Sequence, residues 1–243
     1  MNGPRRPGEH PALPVAPEEL ARDVAAVAAA GADAVHLHVK DAAGADTLGA
    51  AAMAEVLAAV RAAAPAVPVG VTTGAWAVPD PARRTAAVRS WRGSALLPDF
   101  ASVNWHEDGA DDVAGALLDL GVGVEAGLWH PAGAGAWLAS PHRDRCARVL
   151  LELPDGPDER EVQPRAEELL RLVRRAQRDG GREVPVLLHG EGTSTWAALR
   201  LAGGRGLATR IGLEDVLVLP DGSPAAGNAA LVRAARNLLR SPA

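Results

Sequence analysis

The feature that most constrains the fold is a strict alternation. Short apolar runs recur along the 243 residues, each separated from the next by a longer Ala- and Leu-rich stretch with helical signals. Pro14 to Pro17 leads into a helix that has Glu18 and Glu19 in its first turn and Gly31 after its end. The strand Ala34–Val39 follows, and then a helix from Leu48 to Ala64 that Pro65 stops. The pattern continues with strand Val67–Thr72, a helix opened by Pro79–Pro81 and running to Trp91, strand Phe100–Asn104 and helix Asp111–Leu120. Strand Val122–Ala126, helix Ala132–Ala139, strand Arg148–Leu153 and helix Pro164–Arg178 come next. Strand Val184–Leu188, helix Thr193–Ala202, strand Thr209–Leu219 and helix Asn228–Leu239 complete the count of seven strands and eight helices.

Alternating β and α with short apolar strands means a parallel sheet covered by helices. At this length the expected solution is a TIM (β/α)8 barrel in one domain spanning residues 1–243, with an open doubly wound sheet as the alternative. The first helix has no strand before it. The first barrel strand is therefore short and irregular, or the annotated start lies too late, or the barrel is open on one side. No linker or composition shift divides the chain, and the segment Pro154–Pro157 reads as a loop after a strand.

Hydrophobic residues make up 48% of the chain, enough for a sizeable core. With no Tyr and a single Phe, that core must be built from Ala, Val and Leu, with six Trp as the large fillers. A net charge of −5 and the lack of a basic stripe with interleaved aromatics argue against nucleic acid as a partner. No run reaches the ~18 apolar residues of a membrane span, and the first residues carry no signal-peptide pattern. The single Cys146 fits a reducing cytoplasm. Arg143, Arg145 and Arg148 near it can lower a thiol pKa, but an incidental small residue is the plainer reading.

In a parallel barrel the reacting groups come from the C-terminal ends of strands. Those ends supply His36, His38, Lys40 and Asp41; Thr72 and Thr73; Asn104, His106 and Glu107; Glu125; Glu152; His189 and Glu191; and Arg210, Glu214 and Asp215. So many polar groups in a chain of Ala, Val and Leu mark a site. Alternate strand residues share a face, so His36 and His38 point the same way, roughly 7 Å apart. Such a pair suits a metal, zinc being the commonest match, and Glu214 can complete a His₂Glu site. The alternatives are two satisfied core histidines and a solvated acidic pair at Glu214-Asp215. Arg210, Gly212 and Glu214 share a face of the expected last strand, with Gly212 leaving space for a ligand. Asp215 reaches the site only if the strand ends or bulges there. His189 is a candidate for contacting substrate or a metal-bound water. Gly190-Glu191-Gly192-Thr193 can cradle a phosphate or be a plain βα turn. Trp76, Trp105 and Trp129 follow strands, where they wall a pocket or fill the core, and His106, His130 and His142 fall in loops.

These motifs carry a resemblance. HLHVKD at 36–41, VTTGAW at 71–76 and TRIGLEDVLVLPDGSPAAGNAALV at 209–232, with the stretch from Glu9 to Asp41, resemble the β-keto acid cleavage enzymes, of which 3-keto-5-aminohexanoate cleavage enzyme is the best-known member. The resemblance implies a TIM barrel with one zinc, and a transferase that condenses a β-keto acid with acetyl-CoA and cleaves the product to acetoacetate and a new acyl-CoA. It implies His36, His38 and Glu214 as metal ligands, Asp215 as base, Arg210 beside it, Thr72 as a hydroxyl that orients substrate, and Asn104 and Glu125 in the pocket. It also implies a homo-oligomer. The sequence departs from the family at Lys40, where Arg is usual, and at Arg5, where the family has an acid that meets the amino group of the aminohexanoate. A neutral or anionic keto acid is therefore the expected substrate. The family's hydroxyl after the fourth strand is replaced around Glu107. The rival readings are an amidohydrolase-like hydrolase, which would want His on the fifth and sixth strands, and a non-catalytic scaffold.

Overall fold

The computed structural model describes residues 1–156, 159–178 and 182–240, so Pro157 of the loop after Leu153 lies outside the described residues. Six strands pair side by side in chain order, all parallel: β1 (Val35–Leu37), β2 (Val69–Thr72), β3 (Phe100–Asn104), β4 (Gly123–Leu128), β5 (Arg148–Leu153) and β6 (Val186–Gly190). The helices are α1 (Pro17–Ala29), α2 (Ala50–Ala63), α3 (Pro81–Ser90), α4 (Ala110–Asp119), α5 (Pro131–Ala139), α6 (Val162–Arg178), α7 (Thr195–Gly204) and α8 (Asn228–Arg240). Their starts follow local chemistry. Pro opens α1, α3 and α5, the Asp80 carboxylate accepts from the Arg83 amide, and the His130 ring accepts from the Gly133 amide. α1 packs on both α2 and α8, so the first and last helices meet around the curled sheet.

The two faces of the sheet differ in kind. Val35, Leu37, Val71, Val103, Val124, Leu128, Val149, Leu151 and Leu188 point outward into one core shared with Val24, Leu57, Leu117, Leu170 and Ala198 of the helices. The alternate residues line the inside of the curl. They are His36, Gly70, Thr72, Ser102, Asn104, Glu125, Gly127, Arg148, Glu152 and His189, relieved by Phe100, Leu150 and Leu187. Parallel strands are ordinarily apolar on both faces. A polar inner face is costly to bury, which places the chemistry inside the curl.

Among the described residues six strands form a half-barrel, short of the closed eight-stranded barrel. The expected strand Thr209–Leu219 is absent. Ala208 still accepts from the Leu188 amide at 2.9 Å, so the chain starts down the flank of β6. It then turns, with the Asp215 and Val216 amides both bonded to Gly212 O. The Leu213 amide is taken by the Asn228 side chain at 2.8 Å, and Asn228 in turn donates to Asp23 of α1 at 2.6 Å. A donor spent on a side chain is lost to a strand ladder, and the turn follows. On the other flank Met1–Gly3 runs beside β1. The Met1 nitrogen donates to His36 O at 2.7 Å, and the Asn2 amide exchanges two bonds with the His38 backbone. No helix among the described residues is long and apolar enough to cross a membrane.

One inner position tests how tightly the curl is filled. A Cβ on Gly70 would overlap the Phe100 ring. Gly70→Ala should cost about 1–3 kcal/mol, as overpacking typically does, and Phe100→Leu in the same chain should recover most of that in urea unfolding.

Candidate active site

His36 stands in β1 and His38 just past its end, with ring centroids 5.4 Å apart at a 75° interplanar angle. Glu214 reaches them from the turn after Gly212. Its Oε1 lies 3.2 Å from His38 Nε2 and 4.0 Å from His36 Nε2. All three are buried, and their ligating atoms lie within 4.8 Å of one another. Glu214 also receives the Met1 nitrogen at 3.0 Å and Arg210 at 3.3 Å. Burial alone would raise its pKa, but Arg210 above all, with His38, holds the carboxyl well below the usual range. Burial pushes His36 well below an ordinary histidine, so its ring is neutral. Two imidazoles and a carboxylate are the donor set of a zinc site with an open position, and a neutral ring and an ionised acid are the forms that bind metal. His36 Nδ1 has no hydrogen-bond partner. His36, Thr209 and Arg210 also line a cavity of about 350 Å³ bounded by β1, α8 and Leu207–Ile211.

Behind His38 lies a residue that no sequence motif marks. The Asp46 carboxylate is 2.8 Å from His38 Nδ1, accepts from Trp76 Nε1 at 2.8 Å and pairs with Lys40 at 2.5 Å. A tight loop brings it there: the Asp41 amide bonds Ala45 O, the Thr47 amide bonds Val39 O, and Gly44 takes φ +77°. The Gly44 turn was the one available signal. Trp76 lies beside His38, 10° from parallel with centroids 5.9 Å apart. Trp105 is buried and donates to Asp111, and Trp129 tilts against His106.

Because the chain turns at Gly212, Asp215 faces the same interior as Glu214. Its Oδ1 is 3.5 Å from Arg210 and 3.2 Å from His189 Nδ1. His189 Nε2 is 3.3 Å from Glu152, and Glu191 shares a hydrogen bond with Glu152. Burial raises Asp215, but Arg210 and His189 outweigh it and the carboxyl stays ionised. Burial and the nearby Glu152 and Asp215 charges push Glu191 up to about 8. The arrangement sets an ionised carboxylate beside a guanidinium, close to three metal-type donors. Glu152 and Glu191 are polar strand-end residues whose part in this network appears only in three dimensions.

The sequence model of the beta-keto acid cleavage enzymes matches residues 1–116 and 156–242. The chain belongs to this family. No curated protein sequence matches it. Among solved structures, apo ObcA superposes with a TM-score of 0.70 at 20% identity, covering 93% of this chain and 61% of ObcA. The ternary complex of ObcA with C4-CoA adduct and oxalate gives 0.71 at 19%, covering 94% and 64%. The chain thus spans less than two thirds of the ObcA length. A type I 3-dehydroquinate dehydratase from Clostridium difficile gives 0.56 at 12%, covering 93% and 89%. At these identities the likeness is one of fold.

Set against the family's pattern, the remaining residues fall into place unevenly. Thr72 is buried on the inner face and its hydroxyl accepts from the Gly74 amide. Asn104 donates to Glu107 at 2.9 Å, and Glu107 also accepts from the Ala75 amide, so the acid after β3 holds Asn104 in place. Glu125 lies mid-strand rather than at a strand end, paired with Arg148, although its charge still reaches Arg210. Gly212 leaves no space for a ligand, because Asn228 and Met1 already occupy it. The turn at Gly190–Thr193 cradles no phosphate, since Asp155 accepts from both the amide and the hydroxyl of Thr193. Burial pushes the Cys146 thiol up to about 11, so the neighbouring arginines do not activate it. His106, His130 and His142 lie outside helices and strands. Arg5 donates to Leu213 O and Glu9, beside the Glu214 turn.

His189 offers a pH test. Burial and Arg210 lower it, but Asp215 and Glu152 prevail and raise it from 6.5 to about 9. The folded state therefore holds this proton more tightly than the unfolded one. Its stabilisation is complete below pH 6.5 and fades as pH rises through about 9. The stability gap between wild type and His189→Asn in urea should be widest at the acid end and close across that window.

Proposed function

We propose that this chain is a zinc-dependent β-keto acid cleavage enzyme. It joins a β-keto acid to acetyl-CoA and releases acetoacetate and a new acyl-CoA. What carries the reading is the meeting of His36, His38 and Glu214 with Asp215 and Arg210 inside the polar curl of a chain of this family. His36, His38 and Glu214 would hold the ion. The chemistry it supplies is Lewis acidity toward the substrate's oxygens.

The protein's own groups do the rest. Asp215, kept ionised by Arg210, takes a proton from the carbon between keto and carboxylate groups. His189 pairs with Asp215 Oδ1 at 3.2 Å, which would leave Oδ2 for the proton. The substrate carbanion attacks the acetyl carbonyl and expels the CoA thiolate. The thiolate then attacks the original keto carbon, and the bond from that carbon to the former carbanion centre breaks. Acetoacetate leaves with the electron pair and takes the proton back. Thr72 and Asn104 would orient the substrate from the inner face, and Arg5 at the Glu214 turn favours a neutral or anionic keto acid. The ObcA structures with oxaloacetate, and with C4-CoA adduct and oxalate, support keto-acid and CoA chemistry on such a fold.

A panel of β-keto acids with labelled acetyl-CoA should yield labelled acetoacetate for at least one neutral or anionic member and none for the aminohexanoate. Release of labelled acetate alone would point to hydrolysis. Asp215→Asn should lower kcat roughly a hundred- to ten-thousandfold while leaving bound zinc unchanged. Chelation should abolish turnover and added zinc restore it.

A further inference from the structure

We propose that Asp46 is a positioning residue for the metal site, holding His38 through Nδ1 so that Nε2 is the atom turned toward the ion that Glu214 would share. This rests on the metal reading of His36, His38 and Glu214. Two ring N–H positions and one ammonium converge on this one carboxylate. His38 Nδ1 and Trp76 Nε1 each lie 2.8 Å from Oδ2, and Lys40 Nζ lies 2.5 Å from Oδ1. The Asp46 side chain is 5% exposed, so the acceptor is kept from water and has fixed partners. Lys40 is fixed as well, since it donates to Gly3 O at 2.7 Å and Arg5 O at 3.0 Å. A lysine suits this place. Its compact ammonium fits three acceptors in different directions, which a planar fork does not.

An imidazole whose Nδ1–H is held by a carboxylate presents only Nε2 as a ligand, and such a partner makes the ring a stronger donor. His38 Nε2 already faces Glu214 at 3.2 Å. Trp76 runs nearly parallel to the ring, 10° off with centroids 5.9 Å apart, and donates to the same carboxylate oxygen. His36 has no such support, because its Nδ1 is unpartnered. The two imidazoles are therefore unequal. His38 is the anchored ligand and His36 the adaptable one.

The test measures zinc affinity, by competition with a chromogenic chelator, for wild type, Asp46→Ala, Asp46→Asn and Trp76→Phe, with visible spectra of the cobalt(II)-loaded forms. Asp46→Ala should bind zinc about 10–100-fold more weakly. Asp46→Asn, which keeps an acceptor without charge, should fall between. Trp76→Phe, which spares the His38 bond, should stay near wild type. The cobalt bands should shift in the two Asp46 variants and not in Trp76→Phe, a change that a residue serving only stability would not produce. Wild-type affinity and an unshifted spectrum in the Asp46 variants would overturn the positioning role and leave the metal site standing. Should Asp46→Ala not fold, Asp46→Asn decides by the same criterion. A wild-type protein that binds no zinc would remove the metal reading and this inference together.

Discussion

The structure turns on one buried carboxylate. Glu214 is where the two flanks of the half-barrel meet: Met1 beside β1 on one side, the turn beyond Ala208 on the other, and Arg210 between. A lone carboxylate buried there would be prohibitively costly. Surrounded by a guanidinium and two imidazoles, it ties together the flanks of a curl of six strands. The same convergence assembles a metal-type donor set, so closure and site come from one set of contacts.

That economy extends along the inner face. Arg210 faces Glu214 and Asp215, Asp215 faces His189, His189 faces Glu152, and Glu152 faces Glu191. Signs alternate until the end of the row, where two acids meet and Glu191 is pushed up toward neutrality. Removing one member of such a row leaves an uncompensated neighbour, which is why buried networks are stringent. The apolar outer face carries the packing, which frees the inner face for charges.

The second layer around His38 shows how a surface loop is recruited. Asp46 is brought under the ring by a six-residue excursion from Lys40, and Trp76 from the turn after β2 covers it. Neither lies on a strand. The end of β1 supplies the imidazole, and the loops supply its partners.

Local periodicity was enough to place most of the elements. Five of the seven expected strands and all eight helices lie within a few residues of their expected places, and β1 survives as the three-residue core of the expected Ala34–Val39. The pairing of His36 with His38 was equally legible, because alternation on a strand is a local property. Tertiary structure alone decided the rest. Thr209–Leu219 has the apolar pattern of a strand, but Asn228, distant in sequence, takes the Leu213 amide and the chain turns. That turn carries Asp215 to the same side as Glu214, which no strand would do. Asp46 carries no pattern, since a carboxylate nine residues past the end of β1 gains its role only when a loop folds it back. Glu125 reads like a strand-end acid, yet where β4 ends is set by the register with β5. Local propensity encodes elements; closure, register and the partners of buried charges are properties of the whole packed chain.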